Sequence, residues 1–248
     1  MPPPTAFTVI IPALDEEPAV AGVVREAFAG GAAEVIVVDS GSTDATAAVA
    51  SAAGAVVVHA VELDPGAPVL GKGDALWRAV PLAAHEVVVF LDGDLTIDGP
   101  AFLAPLVAPV VDGTAVFAKA DFRRLAPDGG PPRPGRVTAT VARPLIERWF
   151  PELADLDEPL SGQVAARREV LASLPFEVDY GLEIGMLIDV CERYGRGAIA
   201  HPDCGVLAHL PQADASLDAM AAQVARAVAR RTGGADADPQ PRPPRRAG

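Results

Sequence analysis

Two aspartates separated by a single glycine directly follow an apolar run in the stretch "VVVFLDGDLT". Asp92 and Asp94 would repel each other unless a positive charge lies beside them. Carboxylate oxygens are the ligands that Mg²⁺ and Mn²⁺ prefer, and such a cation can also bridge a diphosphate. The pair therefore predicts a divalent-cation site that serves a phosphorylated ligand. Gly93 should permit the turn that lets the two side chains converge.

Polar motifs follow two other apolar runs in the same way. "PALDEE" comes after "FTVII", and "DSGSTD" comes after "EVIVVD". Any one of them could be a helix cap or a turn, but the carboxyl ends of parallel strands share one edge of a sheet, where ligands bind. The loop "LGKG" adds Lys72 between two glycines, which indicates close backbone approach to a ligand. Together these motifs predict one binding site.

The elements that must position these motifs alternate along residues 7–95. Four short apolar runs read as buried strands, and helical segments separate them. We expect Asp15 to cap the first helix, with Pro18 in its first turn. This alternation predicts an α/β fold with a mostly parallel central sheet flanked by helices.

Beyond Gly99 the pattern is less regular. We predict a strand over 115–124, a flexible loop over 125–135 and a helix over 136–150. A strand followed by a helix, a second helix, a late strand ending near His209 and a terminal helix come next. The chain reads as one domain over 1–232, with a nucleotide-binding half at about 7–98 and an acceptor-binding half at about 99–232. The Pro-rich, apolar-poor residues 233–248 should be a disordered tail.

Composition excludes several classes of function. The net charge is −13, which argues against binding to nucleic acid or to anionic membranes. The N-terminus does not resemble a signal peptide, and no apolar run approaches the roughly 20 residues that span a bilayer. The two cysteines suit a reducing compartment. We expect a soluble, cytoplasmic protein.

Two common nucleotide-binding motifs are missing from the sequence. "VLGKGDA" contains the lysine but not the glycine spacing of a phosphate-binding P-loop, and no G-x-G-x-x-G follows the first strand. Phosphates must then be bound by something other than a glycine cradle.

These motifs resemble a known family. "VIIPALDEE", "VVDSGSTDAT", "GKGDALWRA" and "VVVFLDGDL" are similar to the first half of nucleotide-sugar glycosyltransferases of the GT-A fold. "GRVTATVARPL", "PLSGQ", "LPFEVDYGLEIGMLID" and "GVLAH" narrow the resemblance to the glucosyl-3-phosphoglycerate synthases, over roughly residues 7–232. The resemblance implies a retaining, metal-dependent transfer of glucose from UDP-glucose to 3-phosphoglycerate, by a protein that forms a homodimer.

The resemblance also implies roles for individual residues. Asp94, Lys72 and Glu183 would be catalytic, and Asp94 and His209 would bind Mg²⁺ or Mn²⁺. The nucleotide-sugar would contact Pro12, Ala13, Leu14, Glu16, Ser40, Lys72, Asp92, Gly93, Leu160, Tyr180 and Glu183. The acceptor phosphate would bind to Gly135, Arg136, Val137 and Thr138, where backbone amides and a guanidinium suit an anion.

The sequence departs from the family pattern at three positions. Leu207 and Pro211 stand where arginine and asparagine are typical, and Gln163 replaces a common glutamate. The acceptor pocket should therefore be less basic than in the family. The alternatives are a transferase that uses polyprenyl phosphate or another small anionic acceptor, and a binding module without catalysis. A sugar-nucleotide pyrophosphorylase should carry a Gly-rich, Arg-bearing loop after the first strand, and "PALDEE" is not such a loop. Asp94, Lys72 and His209 favour an enzyme.

Overall fold

The computed structural model describes residues 6–124, 135–209, 214–234 and 238–245, and at 124, 208, 209 and 214–216 it describes the backbone alone. In the first half, strands and helices alternate as the sequence predicts. The elements are β1 (Phe7–Ala13), α1 (Val20–Ala29), β2 (Glu34–Asp39), α2 (Thr46–Ala52), β3 (Val56–His59), α3 (Lys72–Ala79) and β4 (Val87–Phe90).

The second half contains shorter strands. Its elements are β5 (Leu95–Thr96), α4 (Gly99–Val111), β6 (Phe117–Lys119), β7 (Asp121–Arg124), α5 (Arg143–Trp149), β8 (Val164–Arg167), α6 (Arg168–Ser173), α7 (Leu182–Tyr194), β9 (Ile199–Ala200), β10 (Asp203–His209) and α8 (Asp214–Arg231). None of these helices, within the described residues, combines the length and the apolar character needed to cross a bilayer.

A seven-stranded sheet in the order β3-β2-β1-β4-β8-β6-β9 forms the centre of the molecule. Its pairs are parallel except where β8 runs antiparallel to β4 and β6. Alternate residues of β1 face two separate apolar cores, Ile10 on one side and Val9 and Ile11 on the other. Helices cover both faces, so the predicted α/β class with a mostly parallel sheet is confirmed.

The prediction of one strand over 115–124 is wrong. The chain forms β6 in the central sheet and then β7, which joins a second sheet of order β5-β10-β7. Between them the backbone amide of Ala120 donates to Gln163, and that of Asp121 donates to Pro202. The chain thus changes sheets at this point. β10 carries His209 back beside β5, where it pairs with Leu95.

Three other local predictions need correction. Asp15 does not cap the first helix: α1 begins at Val20, so Pro18 lies outside it. The helix predicted over 136–150 begins with a π-helical turn, Thr138–Ala142, before α5. Of the loop predicted over 125–135, residues 125–134 lie outside the described residues.

The predicted disorder of the C-terminal tail is wrong for residues 238–245. The backbone amide of Arg242 donates to the carbonyl of Phe176 at 2.7 Å, and the amide of Phe176 donates back at 2.9 Å. The Arg242 side chain also pairs with Asp74. These bonds fix the segment against the main body.

Candidate active site

A cavity of about 320 Å³ opens at the carboxyl ends of β1, β2 and β4. This is the edge at which the sequence places its polar motifs. Most of the residues that the sequence assigns to the donor line this cavity, and the structure therefore brings them together. The lining residues are Pro12, Ala13, Leu14, Glu16, Ser40, Gly71, Lys72, Asp92, Gly93, Asp94 and Tyr180.

The loops after β1 and β2 are joined to each other by hydrogen bonds. The Asp15 carboxylate accepts from the backbone amide of Thr43 at 2.7 Å, and Asp15 takes a left-handed backbone with φ of 55°. The Glu16 amide donates to the Thr46 hydroxyl, and the Ser40 amide donates to the Ala13 carbonyl. Asp15 is therefore a loop-bridging residue rather than a helix cap, and it fixes one wall of the cavity.

Gly93 is needed for close approach and not for an unusual backbone angle. Its φ lies outside the left-handed region. A Cβ at this position would lie 3.2 Å from the Pro12 carbonyl oxygen and 3.3 Å from Glu16 Cγ. The glycine thus lets the turn between Asp92 and Asp94 pack against the loop that follows β1.

Lys72 is held between two carboxylates. Its Nζ lies 2.5 Å from Asp92 Oδ1 and 2.6 Å from Glu183 Oε1, and all three side chains are largely or fully buried. Burial alone would lower the pKa of Lys72, but the two carboxylates outweigh it and raise that pKa far above its usual value. The ammonium group is therefore permanently charged and fixed in position.

Glycines place Lys72 at the first residue of α3. Gly71 adopts a φ of 137°, which side-chain-bearing residues rarely reach. A Cβ on Gly73 would lie 1.9 Å from the Glu177 carbonyl oxygen, so the first turn of α3 packs directly on the backbone that leads to Tyr180 and Glu183. The two glycines of "GKG" are thus required for the packing of α3 on this backbone, and not only for close approach to a ligand.

Arginines of α8 contact the segment that leads to Tyr180 and Glu183 from the side opposite α3. Arg230 and Arg231 pair with the buried Glu177, and Arg226 pairs with Asp179. Tyr180, which follows Asp179, is 40% exposed at the cavity, and burial of part of its ring raises its pKa. The segment that ends in Glu183 is therefore fixed between α3 and α8.

Carboxylates outnumber ammonium groups around the cavity. The pKa of Glu16 rises to about 7, first through burial and then through the negative charges of Asp94 and Asp92. A bound cation would relieve this repulsion. The carboxylate oxygens available at Asp94 and its neighbours suit Mg²⁺ or Mn²⁺, so these residues fit such an ion.

The described residues do not by themselves complete a metal site. Across the part of the chain that the structure describes, no three His, Cys, Asp or Glu side chains form a group that could hold a metal ion. The backbone of His209 pairs with Leu95, the residue after Asp94, but its side chain lies outside the described part. The remaining ligands would then come from the diphosphate of a bound nucleotide.

Three sets of predicted site residues lie outside the cavity lining: Glu183, Leu160 and residues 135–138. Glu183 lies behind the lining and contacts it through Lys72. Leu160 is half-buried against the core, within the turn that the Ser161 amide closes by donating to the Glu158 carbonyl. Residues 135–138 lie at the start of the π-helical turn, with Val137 and Thr138 buried, Arg136 exposed and Gly135 half-buried. The structure therefore does not bring the predicted acceptor residues into the lining of the donor cavity.

Sequence reasoning did not predict the roles of two residues beside the ion pair. Gln163 Nε2 donates to Asp92 Oδ2 at 2.7 Å. A Cβ on Gly162 would lie 2.6 Å from Asp92 Oδ2 and 2.7 Å from Lys72 Nζ. Gly162 therefore closes over the charged pair with no room for a side chain. The motif "PLSGQ" contains both residues, but only contacts between distant segments reveal their roles.

Lys119 is a third residue whose role was not predicted from the sequence. Its side chain is fully buried in β6, and its Nζ donates to the Ser161 carbonyl at 2.6 Å. Burial lowers its pKa to about 8, although Glu183 acts in the opposite direction. A lysine inside the apolar run "AVFAKADF" was the available signal, because such residues are rarely buried without a specific partner.

Two of the three departures from the family pattern can be located. Leu207 is fully buried in the apolar core, where a small acceptor would not reach it. Gln163 is buried and bound to Asp92, so it belongs to the donor side. Pro211 lies outside the described residues.

The chain is similar to known proteins over most of its length. Residues 8–168 match the family model for glycosyl transferase family 2. The glucosyl-3-phosphoglycerate synthase of Mycolicibacterium paratuberculosis is 42% identical over 238 residues, which cover 92% of this chain and 72% of the relative. The enzyme of the same name from Mycobacterium tuberculosis (strain ATCC 25618 / H37Rv) is 41% identical over 242 residues, covering 92% of this chain and 74% of the relative.

A solved structure extends the similarity to three dimensions. The crystal structure of glucosyl-3-phosphoglycerate synthase from Mycobacterium tuberculosis in complex with Mn²⁺, UDP-glucose and phosphoglyceric acid matches with a TM-score of 0.87 and 39% identity. The match covers 97% of this chain and 90% of that chain. The predicted GT-A fold is therefore confirmed, and the chain has the architecture of a sugar-nucleotide-dependent transferase. It belongs to glycosyl transferase family 2 and, within that family, to the glucosyl-3-phosphoglycerate synthases.

Gly162→Ala should weaken donor binding without unfolding the protein. The added methyl group would force Lys72 and Asp92 apart, because both lie within 2.7 Å of the new Cβ. We expect the Kd for UDP, measured by calorimetry with Mn²⁺, to rise by about tenfold or more, since breaking a buried charge pair is costly. Gly197→Ala is the control, because a Cβ there meets nothing within 4 Å. An unchanged Kd in the Gly162 variant would contradict this account of the pair.

Lys119→Met should change the pH dependence of donor use. In the unaltered enzyme, kcat/KM for the nucleotide-sugar should fall as pH rises through about 8, because Lys119 then loses the charge that faces Glu183. The variant lacks that charge at every pH, so its kcat/KM should be lower and should lack this step. Arg25→Gln, on the exposed face of α1, is the control. A variant that retains the step would show that another group produces it.

Proposed function

We propose that the protein transfers glucose from UDP-glucose to 3-phosphoglycerate, with retention of configuration and with Mg²⁺ or Mn²⁺. One observation carries the proposal: a permanently charged Lys72 is fixed between Asp92 and Glu183 in a cavity at the strand ends, next to Asp94. The related enzyme from Mycobacterium tuberculosis has been crystallised with Mn²⁺, UDP-glucose and phosphoglyceric acid, and also with glycerol 3-phosphate.

The donor would occupy the cavity with its base toward the loops after β1 and β2. Those loops are joined by hydrogen bonds and so form a preformed wall. Asp92 and Gly93 would face the ribose or the sugar, and Glu183, Tyr180 and Leu160 would contact the glucose. The residues assigned to the base and ribose are Pro12, Ala13, Leu14, Glu16 and Ser40.

Asp94 and His209 would hold the divalent cation, which supplies positive charge to the diphosphate as it departs. Lys72 adds a second positive charge, fixed in position on the protein, beside the same departing diphosphate. Because this charge is already in place before reaction, little reorganisation is needed when negative charge develops. The main contributions of the protein would be this electrostatic stabilisation and the positioning of the two substrates.

Retention would follow from a displacement on the front face of the sugar. The two carboxylates closest to Lys72, Asp92 and Glu183, are each within 2.6 Å of its ammonium group, which makes them weak nucleophiles. In the front-face displacement the departing phosphate oxygen accepts the proton of the acceptor hydroxyl. This mechanism needs no covalent intermediate on the enzyme.

The acceptor phosphate would bind at residues 135–138. The exposed Arg136 offers a guanidinium, and the start of the π-helical turn offers backbone amides. We also propose that the enzyme acts as a cytoplasmic homodimer. The family resemblance supports the dimer, and the free cysteines Cys191 and Cys204 suit a reducing compartment.

Turnover measurements test the proposal. The purified protein is incubated with Mn²⁺ or Mg²⁺ and a panel of nucleotide-glucose donors, with and without 3-phosphoglycerate, and nucleoside diphosphate release is followed. We expect UDP release that depends on the acceptor, and an α-linked product by NMR. Glycerol 3-phosphate and a polyprenyl phosphate enter the same panel as alternative acceptors. Release stimulated by none of the acceptors would contradict the proposal.

Asp94→Ala should reduce turnover by roughly a thousandfold, because a metal ion contributes several kcal/mol of charge stabilisation. The fold should persist, since Asp94 lies in a turn at the cavity and not in an apolar core. Circular dichroism and thermal unfolding check the fold. Asp98→Ala, which removes only the helix cap of α4, is the matched aspartate control and should keep its turnover. Full activity of the Asp94 variant would exclude its role as a metal ligand.

Arg136→Ala should separate the two substrates kinetically. Loss of a guanidinium that binds phosphate should raise the KM for 3-phosphoglycerate by about tenfold or more. The KM for UDP-glucose should change little, because residues 135–138 do not line the donor cavity. Initial rates over a grid of both substrate concentrations give both constants. An equal rise in both would place Arg136 outside the acceptor site.

A further inference from the structure

A segment near the C-terminus binds along the back of the helix that carries Lys72. Residues 238–245 include the run "PQPRPPR". Arg242 exchanges two backbone hydrogen bonds with Phe176, and the amide of Arg245 donates to the Ala172 carbonyl at 2.7 Å. The segment therefore lies in register beside residues 172–176 and not as a free end. We call residues 238–245 the tail strap.

The side chains of the tail strap fit a specific surface on α3. Arg242 Nε donates to Asp74 Oδ1 at 2.6 Å, and Trp77 Nε1 donates to the Pro243 carbonyl at 2.9 Å. The Arg245 guanidinium lies 3.7 Å from the centre of the Trp77 ring, a cation–π contact. We call the surface formed by Asp74, Trp77 and Phe176 the strap site. It recognises a proline- and arginine-containing segment through charge, stacking and backbone pairing together.

Asp74 connects the strap site to the loop before Lys72. Its side chain is fully buried and accepts hydrogen bonds from Arg78, from Arg242 and from the backbone amide of Leu70. Burial would raise the pKa of Asp74, but the bonds from Arg242 and Arg78 outweigh it and lower that pKa. Arg242 thus helps to keep a buried carboxylate charged, and that carboxylate fixes the start of α3.

The strap site also contacts the segment that carries Glu183. The backbone amide of Asp74 donates to the Val178 carbonyl at 3.2 Å. Phe176, which pairs with Arg242, lies two residues before Val178 in the same segment, and this segment continues to Glu183 at the start of α7. The tail strap is therefore bonded to both segments that hold the Lys72–Glu183 ion pair.

We propose that the tail strap is a positioning segment of the donor site, with Arg242 as its positioning residue. Arg242 acts through Asp74 on the placement of Lys72 relative to Glu183. The strap site is correspondingly a binding surface for a Pro- and Arg-containing peptide, here supplied by the same chain. The inference rests on the proposed function only in taking the Lys72 cavity as the donor site.

Reciprocal coupling follows from this arrangement. If binding of the tail strap favours the geometry that binds UDP, then UDP must tighten binding of the tail strap by the same factor. A segment that merely adds general stability would lower the unfolding temperature when removed, but its affinity as a peptide would not depend on UDP. Whether the affinity of the peptide depends on UDP therefore distinguishes a positioning role from a purely stabilising one.

The first experiment uses the full chain. Arg242→Gln should raise the Kd for UDP with Mn²⁺ by about tenfold, within the usual range of coupling between sites. KM for the donor should rise while KM for the acceptor stays the same, and Arg242→Lys should restore part of the lost affinity because it keeps the charge beside Asp74. Arg25→Gln, exposed on α1, is the matched control. An unchanged Kd for UDP in a folded Arg242→Gln variant would overturn the proposal.

The second experiment supplies the tail strap as a separate peptide. A chain that ends at residue 237 should bind UDP weakly, and a synthetic peptide of residues 238–248 should restore the affinity. Quenching or enhancement of Trp77 fluorescence reports peptide binding, which UDP should tighten; Trp149→Phe removes the second tryptophan. The same peptide with Arg242→Gln should not restore the affinity. A shortened chain that is folded and binds UDP like the full chain would overturn the proposal.

These readouts keep the two proposals distinguishable. Absence of acceptor-dependent turnover would contradict the proposed function but would leave the UDP and peptide affinities measurable. If the shortened chain does not fold, the Kd for UDP of the full-length Arg242→Gln variant decides whether the inference holds. Peptide affinity that is insensitive to UDP would show that the tail strap is structural only and would also overturn the inference.

Discussion

The buried contact between the Lys72 ammonium and the carboxylates of Asp92 and Glu183 is the interaction on which the rest of the site depends. It links the start of α3 and the end of β4 to the start of α7, and Glu183 on α7 is 111 residues from Lys72 in the sequence. Removal of one partner from a buried pair leaves an uncompensated charge, which typically costs about 3–5 kcal/mol. The contact is therefore both a structural junction and a preformed positive centre for a departing diphosphate.

Much of the surrounding structure serves to hold these three charged groups. A methyl group at Gly73 would collide with the backbone of Glu177, and one at Gly162 would collide with the charged ends of Asp92 and Lys72. Lys119 donates a hydrogen bond to the Ser161 carbonyl and so fixes the turn at that residue. Gln163 donates to Asp92 and so orients its carboxylate. Arg230 and Arg231 fix Glu177 from α8. The surplus negative charge near Asp94 is left for a cation, which is consistent with a metal ion that arrives with its nucleotide.

The strand-end rule explains why so much of this could be predicted from sequence. Apolar runs followed by "PALDEE", "DSGSTD" and "DGD" locate the strand ends, because each motif lies within a few residues of its strand and the carboxyl ends of parallel strands share one edge of a sheet. The same reasoning failed where long-range packing decides. Asp15 has the composition of a cap, but its partner is Thr43 on the neighbouring loop. The run 115–124 is apolar enough for one strand, yet bonds to Gln163 and Pro202 divide it between two sheets.

The C-terminal tail is another segment whose structure is decided by long-range contacts and not by its own composition. Its composition is that of a disordered segment, and no local signal reveals that Arg242 has a buried carboxylate as a partner. For Gly162 the sequence carries no local signal, and for Lys119 it shows only a lysine within an apolar run, because the roles of both come from contacts with segments more than 40 residues away. Local pattern identifies the framework and the residue types that do chemistry, whereas the residues that hold them in place become visible only in three dimensions.

A crystal structure of the protein with Mn²⁺ and UDP-glucose tests the central claim most directly, because the anomalous signal of manganese locates the metal independently of the protein. The account predicts a manganese peak beside Asp94 that also contacts the diphosphate, with Lys72 still held by Asp92 and Glu183 and with the glucose next to Glu183. A nucleotide bound away from this cavity, or a metal bound without Asp94, would contradict it.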